Sequence, residues 1–298
     1  MQPLAEIRSL ISRHAKPDDS TPLAAVRMRA LAAPSDPHRG IYEPSFALVA
    51  QGAKRTVVGD KVLEYAAGQY LVVPVDLPVV AKVIRASVDE PYLAVALALN
   101  PATIANLLLE RSARDGAAVD PPGLKVSECS TELLDAVARL LRLLDRPDDV
   151  AVLEPMLERE ILWRLLAGEQ GAMVRQIGLT DSRLSQISRA IRTIRAHYAE
   201  ALRVEELAQV AAMSPSTFHR HFFAITAMSP LQYQKTIRLQ EARVRLIADA
   251  KNVAAVGFDV GYDSPSQFSR EYRRLFGVPP GEDMKRIRTD FRQERSPA

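Results

Sequence analysis

The segments VAAMSPSTFHRHFFAITAMSP at 210–230 and VGYDSPSQFSREYRRLFGVPP at 260–280 align without a gap at a shift of fifty residues. Identical pairs recur along the alignment: Val210/Val260, Ser214/Ser264, Pro215/Pro265, Ser216/Ser266, Phe218/Phe268, Arg220/Arg270 and Pro230/Pro280. Self-similarity at a fixed period indicates a duplicated supersecondary unit. The C-terminal part of the chain therefore contains one structural unit twice.

Each copy contains a Ser-Pro pair that predicts the start of a helix. The Ser hydroxyl can accept a hydrogen bond from a free backbone N–H, and the Pro then occupies the first helical position, where no donor is needed. Inside both helices, apolar residues recur at i, i+4 and i+7, the spacing of one buried face. These residues are Phe218, Phe222 and Ile225 in the first copy and Phe268, Tyr272 and Leu275 in the second.

A shorter amphipathic helix precedes each of these, at Val204 to Ala211 and at Val253 to Val260, and Gly261 suits a left-handed turn after the second. Each pair of helices is a helix-turn-helix unit. The stretch from Pro230 to Ile247 contains no breaker and predicts one linking helix of about 18 residues, or about 27 Å. We expect this helix to hold the two second helices about one DNA turn apart, roughly 34 Å.

The face opposite the buried stripe carries Ser216, His219, Arg220 and Phe223 in the first copy and Ser266, Ser269, Arg270 and Arg273 in the second. Both faces are polar and contain arginine, as DNA-reading helices do. Phe223 is the exception. It is either buried or able to contact a thymine methyl group, and burial is the slightly favoured expectation.

These segments, together with QYQKTIRLQEARVRL, resemble the AraC/XylS family of bacterial transcription regulators over about residues 187–290. GIYEPSFALVAQGAKRTVVGDKVLEYAAGQYLVVPVDLPV at 40–79 resembles the cupin-like N-terminal domain of one subgroup of that family. The first DNA-reading helix departs from the family in carrying Phe223 and Ala224 where polar or basic residues are more usual. By motif position, the resemblance implies that bases are read by Ser216, His219, Arg220, Ser266, Gln267 and Arg270. We also expect DNA contacts from Thr217, Ser269, Arg273 and Arg274 on the same helices.

Charge is distributed unevenly along the chain. Residues 183–298 carry 19 Lys and Arg against 12 Asp and Glu, a net charge of +7, whereas residues 1–182 carry 20 against 24, a net charge of −4. A basic half is typical of nucleic-acid binding. Arg270, Arg273 and Arg274 all lie in the second copy. We therefore expect the second helix-turn-helix unit to supply more phosphate affinity and the first helix-turn-helix unit to supply relatively more base selectivity.

The acidic half predicts a small barrel or sandwich of short strands. The candidate strands are Phe46 to Ala50, Arg55 to Val58, Val62 to Tyr65, Tyr70 to Val73, Val79 to Ile84 and Tyr92 to Leu99, with a two-residue hairpin turn at Gly59-Asp60. Such a barrel either holds one small effector or has a filled core. If a pocket exists, its polar contacts are expected from Tyr42, Arg55, Tyr65 and Tyr70.

No catalytic or metal site is visible in the sequence. The five histidines (His14, His38, His197, His219 and His221) all fall outside the predicted strands, so no imidazole-ligated metal is expected. No cofactor is expected either, because no nucleophile has a recognisable base partner and no phosphate-binding loop of the Walker type occurs. Cys129 lacks a basic neighbour and is expected to be inert packing rather than a redox sensor.

Helices are predicted between the two halves. Ser130 caps a helix from Thr131 to Asp145 with a stripe of Leu133, Val137, Leu140, Leu141 and Leu144, and Pro155 starts another helix. The stripe either packs on the barrel or pairs two chains, and the family resemblance implies a homodimer. A linker is expected at 168–183, and residues 1–20 and 292–298 are expected to be mobile.

The chain of 298 residues is 47% apolar and 25% charged, a globular composition that predicts about two domains. Its longest apolar run, Tyr92 to Leu99, is too short to cross a membrane, and the first ten residues lack a secretory signal, so a cytoplasmic location is expected. We expect an α+β multidomain protein: a cupin-like effector domain at 1–125, helical dimerisation and linker segments at 126–182, and an all-α double helix-turn-helix domain at 183–298.

The function expected from these features is a non-enzymatic, DNA-binding regulator of bacterial transcription that is controlled by a small molecule and works with RNA polymerase. One alternative is a cupin-like small-molecule binder or enzyme whose basic half contacts other acidic partners. Another is a DNA-repair methyl acceptor with the same DNA-binding module, which would require an activated cysteine that Cys129 does not resemble.

Overall fold

The computed structural model describes residues 2–110, 123–248 and 252–286. Its contacts divide the chain into two compact units, Met1–Ser188 with Arg220–Ala227 and Arg189–His219 with Met228–Ala298. All the described strands belong to the first unit, and the described part of the second unit is helical. The expected α+β class with an all-helical C-terminal region is confirmed.

The strands of the first unit form two antiparallel sheets. One sheet has the order β1-β8-β3-β6-β9 and the other has the order β2-β7-β4-β5. The strand bounds are β1 Val26–Leu31, β2 His38–Tyr42, β3 Ser45–Gln51, β4 Ala53–Val58, β5 Lys61–Ala66, β6 Gln69–Val73, β7 Leu77–Arg85, β8 Tyr92–Ala98 and β9 Val126–Glu128.

The six predicted strands correspond to β3 to β8. The predicted hairpin is also present, because Val58 pairs with Lys61 across Gly59 and Asp60, and Gly59 has a φ of 59°. Strands β1, β2 and β9 were not predicted from the sequence. Arginine or histidine residues interrupt the apolar pattern of β1 and β2, and β9 has only three residues and pairs with β6 alone.

Helices cover the five-stranded sheet of the first unit. Helix α1 begins at Pro3 and packs on β1, β3 and β8 with Ile7, Leu10 and Ile11 fully buried. The expectation that residues 1–20 are mobile is therefore wrong, whereas residues 292–298 lie outside the described residues. The helix bounds are α1 Pro3–His14, α2 Pro101–Glu110, α3 Thr131–Arg142, α4 Val150–Ala167, α5 Gly171–Gly178 and α6 Arg183–Ala196, which crosses the boundary between the units.

The predicted leucine stripe lies on α3. Ser130 caps this helix by accepting a hydrogen bond from the backbone N–H of Leu133 at 3.2 Å. Helix α3 packs against both α1 and α4, and its contacts include ion pairs of Arg142 with Glu6 and of Arg139 with Glu160, each at 2.6 Å. Leu133, Val137, Leu140 and Leu141 are consequently buried inside one chain. Pairing of two chains through this stripe is therefore wrong, because its apolar surface is already covered.

Two further expectations about this region are wrong. Helix α4 begins at Val150 rather than at Pro155, because a short 3-10 turn at Pro147–Asp149 leads directly into it. Pro155 removes only a hydrogen bond to a carbonyl in the exposed first turn. The expected linker at 168–183 contains α5, which packs on α2 and α4 with Met173 and Val174 buried.

The second unit contains the repeated helices. Their bounds are α7 Val204–Val210, α8 Pro215–Thr226, α9 Pro230–Ala248, α10 Val253–Asp259 and α11 Pro265–Phe276, with further helical residues at 280–286; the contacts of α8 are divided between the two units. The predicted short helices, second helices and linking helix agree with these bounds to within one residue. Among the described helices, none is both long and apolar enough to span a bilayer.

The second helix-turn-helix unit has a core of its own. Phe268 and Tyr272 of α11 pack with Val256 of α10, with Val260 directly after that helix and with Leu246 of α9. A buried carboxylate fixes the next segment of chain, because Asp283 receives hydrogen bonds from Arg243 Nε and from the Tyr272 hydroxyl, both at 2.8 Å. The orientation of α11 is therefore set by apolar packing and by the hydrogen bond from its Tyr272 hydroxyl to Asp283.

Arg238 of α9 fixes the backbone on both sides of the linking helix. Its guanidinium donates to the carbonyl oxygens of Tyr198 at 2.6 Å, Glu200 at 2.8 Å and Gly261 at 2.6 Å, with a longer bond to Ala199 at 3.3 Å. These carbonyls belong to the loop after α6 and to the turn between α10 and α11. One side chain therefore ties both turns to the middle of α9.

Gly261 provides a test of this tight arrangement, and Gly277 is a matched control. Both have positive φ, 91° and 85°, but a Cβ at Gly261 would collide with the Ala199 carbonyl, whereas a Cβ at Gly277 would meet nothing within 4 Å. We expect Gly277→Ala to cost about 1–2 kcal/mol of unfolding free energy. Gly261→Ala should cost about 2–5 kcal/mol, because the collision adds to the backbone strain. Equal costs in chemical denaturation would contradict the described contact.

Candidate nucleic-acid interface and ligand cavity

Helix α8 presents the predicted polar face. Ser216, His219 and Arg220 are exposed, whereas Phe218 and Phe222 are fully buried on the opposite side. His221 is also buried, and burial, followed by the charges of Arg183 and Arg220, lowers its pKa. The permanent cationic charge of the exposed face comes from Arg220.

Phe223 is 45% exposed, so the favoured expectation that it is buried is wrong. The helical spacing explains the difference, since Phe223 follows His219 by four residues and shares its face. An exposed phenyl ring next to Arg220 can contact the methyl group of a thymine.

The first turn of α8 is organised by Ser214. Its hydroxyl accepts from the backbone N–H of Thr217 at 3.4 Å, donates to the Thr217 hydroxyl at 2.9 Å and lies 3.3 Å from the Ser216 hydroxyl. Two of the predicted DNA contacts, Ser216 and Thr217, are therefore held beside the cap. A helix N-terminus with free N–H groups favours a phosphate at this position.

Helix α11 has the same construction with more positive charge. Ser264 caps it by accepting from the Gln267 N–H at 3.4 Å, and Gly277 ends it in the left-handed conformation. Arg270, Arg273 and Arg274 are exposed, as is Ser266, while Gln267 and Ser269 are half-buried. Among the described residues, none of these three arginines has a carboxylate within ion-pairing distance, so their charge remains available to a polyanion.

A cavity of about 750 Å³ lies inside the first unit and is lined by both sheets. Its wall includes Met28 and Tyr92 from the five-stranded sheet and Lys54 from the other. Of the four residues predicted to contact an effector, Tyr42 and Tyr65 line the cavity. A space of this size is in the range of small-molecule sites.

The other two predicted contacts face elsewhere. Arg55 is half-exposed and pairs with Glu64 at 2.6 Å on the outside of the sheet. Tyr70 packs on Phe46 with ring centroids 5.3 Å apart, and burial raises its pKa to about 12. Neither residue lines this cavity, and a contact of either one with an effector stays a prediction. Lys54, the neighbour of Arg55 on the same strand, lines the cavity but was not predicted from the sequence.

Lys54 is the notable charge of the cavity. Its ammonium group lies 4.9 Å from the centre of the Tyr42 ring, and burial lowers the pKa of Lys54. Two other cations line the wall: Arg29 is neutralised by Asp19, with Nε 3.0 Å from Oδ1, and Arg27 is exposed on β1. In the described chain, no carboxylate lies within ion-pairing distance of Lys54. A cation without a partner in a partly closed cavity favours an anionic ligand.

Tyrosines surround this lysine. Burial raises the pKa of Tyr42 to about 12 and also raises that of Tyr65, whose hydroxyl lies 3.5 Å from the Thr56 hydroxyl. Tyr92, fully buried on β8, also has a raised pKa for the same reason. These phenols remain neutral over the physiological range and present aromatic faces and hydroxyl groups to the cavity. The wall therefore suits a small aromatic or apolar molecule with an anionic group.

Other chemistry has little support in the described residues. His38 lies outside the predicted strands but on β2, which was not predicted, and it lines the cavity. No group of three or more His, Cys, Asp or Glu side chains in the described ranges is arranged to hold a metal ion. Burial, together with Glu128, raises the pKa of Cys129 to about 12, which disfavours the thiolate that methyl transfer requires.

Comparison with known protein families gives two matches. The profile of the AraC-type transcriptional regulator N-terminus matches residues 22–173, and the profile of a helix-turn-helix domain matches residues 207–286. The first match covers the strands, the cavity and helices α2 to α4. The second covers most of α7 and all of α8 to α11.

Individual relatives are similar mainly over half of the chain. The transcriptional regulator ArgR of Pseudomonas aeruginosa is 28% identical over 149 residues, which is 50% of this chain and 45% of ArgR. The transcriptional activator RhaS of Escherichia fergusonii is 30% identical over 151 residues, 50% of this chain and 53% of RhaS. The chain thus spans about half the length of each of these relatives.

One solved structure is similar over nearly the whole chain. ToxT of Vibrio cholerae, solved with a bound unsaturated fatty acid, covers 87% of this chain and 94% of its own length with a TM-score of 0.52. The two sequences are only 10% identical. The likeness therefore shows that the fold is shared.

Proposed function

Since this chain belongs to the AraC-type transcriptional regulators, we propose that it regulates bacterial transcription by binding double-stranded DNA with α8 and α11. The observation that carries this proposal is the repeated construction of the two helices, each capped by a serine and each exposing an arginine-bearing face. Helix α9 joins the two helix-turn-helix units. It has 19 residues, or a length of about 28 Å at 1.5 Å per residue. This length supports entry into successive major grooves.

The exposed side chains suggest a division of roles. On α8, we propose that Ser216 and Thr217 contact the sugar-phosphate backbone of the DNA and that His219 and Arg220 contact base edges. On α11, Ser266, Gln267 and Arg270 are placed to meet bases, with Ser269 beside them. Arg273 and Arg274, near the C-terminal end of the helix, contact phosphates, which supply affinity without sequence information.

Phosphate contacts can be tested by the salt dependence of DNA binding. Each lost phosphate contact reduces the slope of log K against log salt by about 0.9. We expect Arg273→Ala to flatten this slope by about one while leaving the preferred sequence unchanged. The exposed Arg146, in the first unit, is a charge-matched control that should leave the slope as it is.

Fluorescence anisotropy of a labelled duplex at several salt concentrations measures both properties. An unchanged slope in Arg273→Ala would contradict the assignment. Absence of binding to double-stranded DNA by the parent chain would contradict the proposed function itself, and equal affinity for an unrelated polyanion would support an acidic partner other than DNA.

We also propose that a small anionic effector occupies the cavity and contacts Lys54. Tyr42 and Tyr65 would then flank the body of the molecule and supply hydroxyl donors. Such a ligand changes the DNA affinity only if it binds the DNA-competent and incompetent states with different affinity. No catalysis is part of this proposal, and the effector is released unchanged.

Benzoate and its neutral analogue benzamide test the anionic character of the cavity. We expect benzoate to bind the parent chain more tightly than benzamide, because a carboxylate can pair with the ammonium group of Lys54. Lys54→Met should lower benzoate affinity at least about tenfold, since hydrogen bonds to charged groups are worth about 1.5–3 kcal/mol. Titration calorimetry measures both constants, with Arg55→Met as the control on the outer side of β4. Equal benzoate binding by Lys54→Met would contradict the proposal.

We further propose that the chain forms a homodimer through α4 in place of the covered stripe on α3. Helix α4 exposes Val152 by 67%, Met156 by 63% and Trp163 by 40%, on one face at spacings of four and seven residues. In a two-fold antiparallel pair, the same face meets its own copy, so one stripe of this kind is sufficient. Dimerisation would raise the effective concentration of DNA-binding units on paired sites.

Sedimentation velocity tests this interface. We expect the parent chain to sediment as a dimer and Met156→Asp as a monomer, because the new charge would be buried at the centre of the face. Val62, exposed on β5, is the matched control, and Val62→Asp should remain dimeric. A dimer that survives Met156→Asp would place the contact elsewhere.

Two partners follow from regulation of transcription. The DNA is bacterial, and we place the protein in the cytoplasm with it. RNA polymerase is the protein that a DNA-bound regulator must influence, and the exposed Val244 and Phe258 of the second unit supply apolar side chains for such a contact.

A further inference from the structure

A carboxylate lies within the DNA-reading helix α11, where a negative charge would normally repel DNA. Glu271 receives three hydrogen bonds from three segments of the second unit. The donors are Lys235 Nζ of α9 at 2.9 Å, the Tyr262 hydroxyl of the preceding turn at 2.9 Å, and Gln267 Nε2, one helical turn earlier, at 3.3 Å. Its side chain is only 14% exposed.

The charge of Glu271 is therefore well compensated. Burial works against the charged form, but the hydrogen bonds from Lys235, Tyr262 and Gln267 outweigh it, so the pKa of the carboxyl is lowered. Lys235 supplies the counter-charge from the linking helix. Because this charge is neutralised within the protein, the carboxylate can remain close to the DNA-facing surface.

The hydrogen bond to Gln267 determines which way its amide points. An ionised carboxylate only accepts hydrogen bonds, so Gln267 must turn its NH₂ group toward Glu271. Its carbonyl oxygen Oε1 and its second N–H then remain for an external partner. Gln267 lines a groove together with Arg270, Glu271 and Arg274, so that partner lies at the proposed DNA surface.

One base edge matches this pair of groups. In the major groove, adenine presents the N6 amino donor beside the N7 acceptor, and a glutamine amide can bond both when its orientation is fixed. A freely turning amide can offer either order of donor and acceptor. Fixing the amide therefore favours adenine over bases that present a different order.

We propose that Glu271 is a positioning residue that fixes the Gln267 amide for adenine, and that Lys235 and Tyr262 hold Glu271 in place. This inference rests on the proposed function, because it assumes that α11 enters the major groove. It adds a specificity determinant that does not itself touch DNA. The competing role for Glu271 is purely structural, as a tie between α9 and α11.

Base preference separates these two roles. The full chain first selects its duplex from a random pool, and affinities are then measured for all four bases at each position of the second half-site. We expect Gln267→Ala to abolish an adenine preference at one position. Glu271→Gln preserves size but lets the two amides pair in either orientation, so the preference at the same position should fall from at least about fivefold to below about twofold.

Matched variants complete the design. The double variant with Gln267→Ala and Glu271→Gln should lose no more of the adenine preference than Gln267→Ala alone, because both changes remove the same interaction. Glu241→Gln removes the same charge from α9 and should leave every preference unchanged. Tyr262→Phe retains the packing of Tyr262 while removing one donor to Glu271, and should give an intermediate loss at the same base. Melting curves establish that each variant is folded. If Glu271→Gln does not fold, the base preference of Tyr262→Phe shows whether Glu271 positions Gln267.

Several results would overturn the inference. If Glu271→Gln lowers the affinity for all duplexes equally and preserves the ratios between bases, Glu271 has a structural role only. A preference lost in Gln267→Ala but retained in Glu271→Gln, or a preferred base other than adenine, would also contradict it. A parent chain that selects no duplex would contradict the proposed function, a result distinct from each of these.

Discussion

The guanidinium of Arg238 is the contact on which the second unit depends most. The loop at 198–200 and the turn at Gly261 each leave carbonyl oxygens that no regular helix satisfies, and a buried unpaired carbonyl costs about 1–3 kcal/mol. Arg238 donates to them from the middle of α9, at distances from 2.6 to 3.3 Å, and Gln234 of the same helix also donates to the carbonyls of Tyr198 and Glu200. The turn that aims α11 is thereby fixed to the linking helix, and Glu271 extends the same support to the Gln267 side chain.

Arginines in this unit have two different uses. Arg238 and Arg243 direct their donors inward, to backbone carbonyls and to the buried Asp283, and so stabilise the fold. Arg270, Arg273 and Arg274 are exposed and retain their charge for a partner. The net charge of the basic half therefore overstates the number of cations available to DNA. The position of an arginine within its helix, rather than the number of arginines in the sequence, determines whether it stabilises the fold or is available to DNA.

The helical half could be predicted closely because its signals are local. The Ser-Pro starts, the apolar spacing and the repeat each determine helix bounds within a few residues. In the first unit the information is less local: β1 and β2 contain charged residues, and α1 is buried through contacts with distant strands and with α3. Choosing Arg55 over Lys54 as a cavity residue failed for a related reason. Lys54 shares its face of β4 with the buried Thr56 and Val58, whereas Arg55 lies on the other face, and which face is buried depends on the other sheet and on the chain packed over it.

Footprinting with hydroxyl radicals tests most directly whether α9 holds two DNA-reading helices for successive grooves. The full chain is bound to a duplex that it has selected, and protection is mapped on both strands. We predict two protected patches on one face of the duplex, centred about one helical turn, or roughly 34 Å, apart, with Arg220→Ala weakening one patch and Arg270→Ala the other. A single patch, patches on opposite faces, or unchanged protection in both folded variants would contradict this arrangement.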